Sequence, residues 1–221
     1  MELTTFFIAA FAIFISYSLW KQHKKSLIQK RKKAIQSYQF PKAISQKISN
    51  KYPHLDDVQV KMVIRGLKDY FHISNIAGKR LVSVPSQVVD DAWHEFILFT
   101  REYQRFCDKS LGRFLHHTPA EAMSTPTIGH NGIKRAWRCA CKHEKISLNN
   151  PRKLPLLFGI DKLLNIENGF HYSLNCMHRS NAGDYCAGHM GCGGGCAGDG
   201  DSFFGDASSS DSGCGGGCGG D

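Results

Sequence analysis

Residues 89–103 read VDDAWHEFILFTREY, and this stretch decides the fold. At about 100° per residue, its bulky side chains Trp93, Phe96 and Tyr103 fall on one side of a helix, opposite the acidic and basic ones. The apolar side is rich in aromatic rings and needs other helices to cover it. The sequence therefore predicts a central amphipathic helix over about 86–108.

Other stretches repeat apolar residues at helical spacing, and no segment alternates with period two over the length of a strand. The chain is predicted to be all-α. We expect a membrane anchor and basic stalk over 1–39, a compact multi-helix domain over 40–170 and a disordered Gly/Ser/Asp/Cys-rich tail over 171–221. The further predicted helices are a short one after Pro41, one with a stripe from Val60 to Phe71 capped by Asp56 or Asp57, one over about 133–146 and one starting at Pro155.

The amino-terminal segment is typical of a single transmembrane helix. Residues 3–20 contain no charged side chain and, as a helix, would span about 27 Å, enough for a bilayer core. Seven Lys and Arg residues follow within 21–33, and positive charge of this kind favours the cytoplasmic side. A cleaved signal peptide would carry its positive charge before the apolar run. We predict a single-pass protein of the inner (plasma) membrane with its helical domain in the cytoplasm.

The net charge of +9 is unevenly distributed along the chain, since the residues after Ser180 include six Asp and no Lys or Arg. Such an excess of positive charge favours an anionic partner. Nucleic acid is not expected, because the sequence contains no recognisable module for reading it. The helix predicted over about 133–146 gathers cations on one face, which is either a solvated surface or a surface for anionic lipid or an acidic protein partner. These cations are Lys134, Arg135, Arg138, Lys142 and Lys145.

His94 is a candidate metal ligand or acid–base group. Asp90 lies one turn before it, so its carboxylate can hold the imidazole in place. His116 or His117, in the loop that follows the central helix, could join His94 in a site. The alternative is a surface histidine in a helix-stabilising pair. Cys139 and His143 also have helical i,i+4 spacing, but two ligands alone do not make a zinc site.

The tail offers a second candidate metal site, with zinc as the possible ion. Cys186, His189, Cys192 and Cys196 have spacings that a tetrahedral thiolate–imidazole site can use. The glycines between them raise the entropic cost of wrapping an ion, and an unligated low-complexity tail is the alternative. The nine cysteines should be thiols in the cytoplasm.

Familiar enzyme signatures such as Gly-x-Ser-x-Gly, a phosphate-binding Gly-Lys-Ser/Thr loop and His-Glu-x-x-His do not occur in the sequence. The runs 89–94, 99–103, 116–117 and 154–161, with the Gly/Cys-rich tail, resemble the glycine-rich domain-containing protein family in its bacterial membrane-anchored members. The resemblance implies a helical domain and no particular reaction. Two hypotheses follow: a non-enzymatic membrane-anchored interaction domain, and a metal-binding or metal-dependent protein.

Overall fold

A computed structural model of the chain describes residues 2–117, 126–174 and 185–187. These residues form seven helices, α1 Glu2–Ser37, α2 Lys42–Lys51, α3 Asp57–Ala77, α4 Gln87–Ile97, α5 Thr100–Ser110, α6 Pro126–Glu144 and α7 Leu156–Leu163, and two strands, β1 Tyr172–Ser173 and β2 Tyr185–Cys186. The all-α prediction is confirmed for the described part of the chain, where the strands are two residues long and pair in parallel.

Helix α3 lies at the centre of the helical body, in contact with α1, α2, α4, α6 and α7. Its predicted apolar stripe is buried, with Leu67 and Phe71 fully inaccessible to solvent. Gly66 allows the neighbouring helices to approach closely: a β-carbon there would lie 2.9 Å from Val89 of α4 and 3.3 Å from Ile160 of α7. The core therefore forms around one helix that is covered on most sides.

Side chains fix the start of two helices. Asp56, one of the two predicted caps of α3, forms a capping box with Gln59. At α4, the buried carboxylate of Asp161 accepts hydrogen bonds from the Ser86 hydroxyl at 2.6 Å and from the Gln87 backbone N–H at 2.7 Å. These bonds satisfy amides that a helix start leaves without partners, and they tie the start of α4 to α7.

The continuous helix predicted over about 86–108 is wrong, because the chain bends between α4 and α5. The bend lies at Leu98 and Phe99, and the Phe99 backbone has φ −82 and ψ 60. In a straight helix, Phe96 and Phe106 would lie about 15 Å apart along the axis. The bend brings their ring centroids to 5.3 Å. The aromatic side chains thus pack partly on one another, which a periodicity argument does not reveal.

The two halves of α1 have different surroundings. The large apolar side chains of residues 4–20 are exposed, and α1 is long and apolar enough to cross a membrane by length and composition. Further along, α1 packs on α3 and α5, and Ile35 is fully buried. The Arg31 guanidinium lies against Gly112, where a β-carbon would come within 1.9 Å of it. The last turns of α1, within the segment predicted to be a basic stalk, are therefore docked on the helical body.

The structure differs from the sequence prediction at the start of α6 and in part of the tail. Helix α6 begins at Pro126, about two turns before the predicted start, and proline suits the first turn because it has no N–H to leave unpaired. The tail was predicted to be disordered, but Tyr185 and Ala187 donate backbone hydrogen bonds to His171 and Ser173, each at 2.8 Å. Ala187 is fully buried. The rest of the tail lies outside the described residues.

Candidate metal centre

Three potential metal ligands meet between α4 and the loop that follows α5. Asp90 and His94 lie one turn apart on α4, with 3.5 Å between Asp90 Oδ2 and His94 Nδ1. His117 comes from the loop, and its Nε2 lies 2.9 Å from Asp90 Oδ1. One ligand atom from each residue lies within 4.8 Å of the other two. The structure therefore brings together residues that are 27 positions apart in the sequence.

The aromatic core positions His117. Tyr103 donates its hydroxyl proton to the Leu115 carbonyl at 2.5 Å, and the Trp93 indole N–H donates to the same Tyr103 oxygen at 3.0 Å. The His117 ring packs edge-on against Trp93, with 4.5 Å between centroids, and 4.2 Å from the ring of His94. Because the loop is tied to buried groups, the third ligand is held in place before any ion binds.

The cluster is open to solvent on one side. The side chain of His94 is 49 % exposed, whereas those of Asp90 and His117 are 22 % and 12 % exposed. Two imidazoles and one carboxylate suit Zn²⁺ or Fe²⁺, and three protein ligands leave coordination positions open. An ion held by both Asp90 and His117 would replace the hydrogen bond between them. Because protons compete with a metal ion for its ligands, binding of the ion would be weaker at low pH.

His116 does not join this cluster. Its ring packs against Phe114, with 4.7 Å between centroids. Of the tail ligands, Cys186 belongs to β2, while His189, Cys192 and Cys196 lie outside the described residues. The proposed metal site in the tail stays a prediction.

Residues 30–190 of the chain match a protein family described as UCP032817-like. The chain belongs to this family. No curated protein and no solved structure matches it. The resemblance to glycine-rich domain-containing proteins stays a prediction, because the match is to the UCP032817-like family.

The match places the whole candidate metal centre, and the docked last turns of α1, within the UCP032817-like region. The exposed apolar half of α1 lies before it. The family match therefore covers the helical body and the residues of the His/Asp cluster, and it does not cover residues 1–29.

The UCP032817-like body contains a second Asp–His group, whose members are too far apart in the sequence for their contact to be predicted. His143 Nε2 of α6 lies 3.0 Å from Asp69 Oδ1 of α3, and the His72 ring centroid lies 4.6 Å from that of His143. The Nδ1 atoms of both histidines are buried without a hydrogen-bond partner among the described residues. Burial, with the nearby charges of His143 and Lys32, lowers the pKa of His72 to about 4, and Asp69 opposes this shift.

The Cys139–His143 spacing does not form a site either. His143 is directed at Asp69, and Cys139 is a buried free thiol, as are Cys107 and Cys141. Burial raises the pKa of Cys139 despite the cations around it, and raises that of Cys141 to about 11. These thiols are therefore protonated packing groups at neutral pH.

The predicted basic face divides along α6. The Arg135 guanidinium is half-buried and donates a hydrogen bond to the Leu81 carbonyl. Lys134 is also half-buried, whereas Arg138 and Lys142 are exposed. Lys145 lies just beyond the helix end, with a positive φ of 57. The five cations therefore differ in their surroundings and do not form one uniform face.

Proposed function

We propose that this chain is a single-pass membrane protein that presents its helical domain at the cytoplasmic surface. The observation that carries the proposal is the exposure of the first half of α1, where Phe6 and Ile13 are 67 % and 70 % exposed. Transfer of each such side chain out of water is favourable by about 1.5–3 kcal/mol, so a helix this rich in them favours a bilayer. The rest of the described chain does not cover it.

The distribution of charge supports the orientation. Lys21, Lys24 and Lys25 follow the apolar run directly, while Glu2 is the one charged side chain before it. Cations next to a span are retained on the cytoplasmic side. The docked end of α1 then holds the helical body on that same side.

The orientation can be tested by labelling intact cells with a membrane-impermeant maleimide. All nine cysteines follow α1, from Cys107 onward. The wild-type thiols should become labelled only after the membrane is permeabilised, whereas an added cysteine in Glu2→Cys should be labelled in intact cells. Labelling of wild-type protein in intact cells would reverse the orientation, and recovery of the full chain in the soluble fraction without detergent would refute the anchor.

A second proposed function is metal binding by Asp90, His94 and His117. Their convergence within 4.8 Å supports it, as does the rigid support of His117 by the aromatic core. The protein would bind about one Zn²⁺ or Fe²⁺ per chain, and the open side at His94 would accept a further ligand. No reaction is assigned to the site.

Elemental analysis of detergent-purified protein, prepared without a metal-binding tag, tests this second proposal. His94→Ala should lose the bound metal, and His116→Ala is the matched control because His116 lies in the neighbouring loop but outside the cluster. A Cys192→Ser/Cys196→Ser variant tests the tail separately. If wild-type protein is folded and metal-free even after incubation with zinc, the proposal is wrong; if only the cysteine variant loses metal, the ion belongs to the tail.

A further inference from the structure

Helix α1 runs antiparallel to α3 where the two helices touch. Near the start of the docked segment, the Asn75 side-chain amide donates to the Ile28 carbonyl at 3.1 Å. Two turns later, Lys68 Nζ donates to the Gln36 carbonyl at 2.8 Å. The carboxyl-terminal end of α3 therefore points toward the apolar half of α1.

This arrangement places the loop after α3 beside the end of the apolar half of α1. Lys79 and Arg80 are exposed at the end of α3. The Arg80 charge lies close enough to Lys24 to help burial lower the pKa of that amine. Lys24 Nζ lies 5.2 Å from the centroid of the Trp20 ring, at the end of the uncharged run. The rise from Trp20 to Lys24 is about 6 Å, so these cations lie at the depth of lipid headgroups if residues 3–20 span the bilayer.

Helix α6 brings further cations to the same end. Arg135 donates to the Leu81 carbonyl, one residue after Arg80. Burial and then the charges of Arg80 and Arg138 lower the pKa of Arg135. Like charges this close repel one another, and an anion placed among them relieves that repulsion. We call the set Lys24, Lys79, Arg80, Arg135 and Arg138 the membrane-proximal cationic surface.

We propose that the membrane-proximal cationic surface binds the phosphate headgroups of anionic lipids in the leaflet next to Lys21. The inference rests on the proposed membrane anchorage. Each cation near an anionic surface contributes about 1 kcal/mol, and the docking of α1 keeps the surface at the bilayer without a separate binding step. This permanent proximity favours lipid over a soluble acidic protein as the occupant.

Only some cations of the predicted basic face lie close enough to the bilayer to contact lipid. Helix α6 runs antiparallel to α3, because Arg135 bonds to Leu81 and His143 lies 3.0 Å from Asp69. Lys145, about 15 Å beyond Arg135, therefore lies toward the other end of α3 and away from the headgroups. We therefore expect Arg135 and Arg138, together with residues of the α3–α4 loop, to contact lipid, and Lys145 to remain in water.

The test uses the full chain in lipid nanodiscs of phosphatidylcholine alone or of phosphatidylcholine mixed with phosphatidylglycerol. Hydrogen–deuterium exchange of residues 78–84 should be about three- to tenfold slower in the anionic discs. The difference should disappear at about 1 M salt, where the Debye length falls to about 3 Å. The salt series uses wild-type protein, so it does not depend on the folding of any variant.

A pair of charge-reversal variants on one helix sharpens the test. Lys79→Glu/Arg80→Glu should abolish the protection, whereas Lys61→Glu/Arg65→Glu should retain it. Lys61 and Arg65 are exposed near the far end of α3, so both variants change the net charge equally.

The outcomes separate the two proposals. A chain that inserts in both discs with equal exchange of residues 78–84 overturns the headgroup contact and leaves the anchor intact. Equal loss of protection in both variants also overturns it, because the effect would then come from net charge alone. A chain that inserts in neither disc overturns the anchor and the headgroup contact with it.

Discussion

Two Asp–His–His groups in this molecule have the same side chains and very different settings. In the group of Asp90, His94 and His117, each residue offers a ligand atom within 4.8 Å of the others, and one side is open to solvent. In the second group, His143 pairs with Asp69, while His72 is only 5 % exposed and its Nδ1 is buried without a hydrogen-bond partner among the described residues. The first can accept an ion from solution; the second joins α3 to α6. Convergence and access, and not residue type, distinguish them.

The largest expected effect concerns the open group. His117→Ala should weaken zinc binding by more than about 100-fold, because it removes the ligand that the aromatic core holds in place. Isothermal titration calorimetry of metal-free protein with zinc measures the affinity. His116→Ala, altered at the adjacent position, should bind zinc as wild type does. Equal weakening in both variants would mean that the loop as a whole is disturbed, and the comparison would fail.

In the closed group, the corresponding change should act on stability. His143→Ala leaves the largely buried Asp69 carboxylate without its 3.0 Å partner, so we expect a loss of about 1–3 kcal/mol in the free energy of unfolding. Denaturant unfolding followed by tryptophan fluorescence measures this loss. Zinc affinity should not change. His130→Ala, at an exposed position of the same helix, is the control and should be nearly neutral. Lower zinc affinity in His143→Ala would break the distinction between the two groups.

Acid should also act through the closed group. The folded-state pKa of His72 is about 4, below the ordinary value of 6.5, so between these values the unfolded chain binds more protons than the folded one. Stability should therefore fall as the pH drops from 6.5 toward 4. With allowance for solvent screening, the loss is about 1–2 kcal/mol. The free energy of unfolding, measured across this pH range, should change less steeply with pH in His72→Gln than in the wild type. An unchanged slope would mean that other groups carry the acid sensitivity.

The sequence predicts one of these groups far better than the other. Asp90 and His94 are one turn apart on a helix that periodicity finds, so their pairing follows from local geometry. His117 was one of two candidates, and the choice between His116 and His117 depends on how Tyr103 and Trp93 hold the loop. Asp69 and His143 are 74 positions apart, and their contact depends on the packing of α6 against α3. Long-range packing of this kind leaves no periodic signal.

Because long-range packing leaves no periodic signal, some parts of the fold were also predicted wrongly. The apolar stripes of α2, α3 and α7 could be found because they repeat locally, and Asp56 could be recognised as a cap. The bend at Phe99 could not, since it is favoured by contacts between Phe96 and Phe106 that form only after the chain has turned. Nor could the role of Asp161, which reaches the start of α4 from a helix 75 positions away from Ser86.

The smallest expected effect separates ligand from structural role at a single residue. His94 is half-exposed, and exposed ion pairs contribute little to stability, so His94→Ala in metal-free protein should change the free energy of unfolding by less than about 0.5 kcal/mol. With zinc at about 100 times its dissociation constant, wild type should gain about 2.7 kcal/mol and the variant much less. Paired unfolding curves with zinc and with a chelator give both quantities. A large loss in the chelated variant would assign His94 to the fold, because a residue needed only as a ligand matters only when the ion is present.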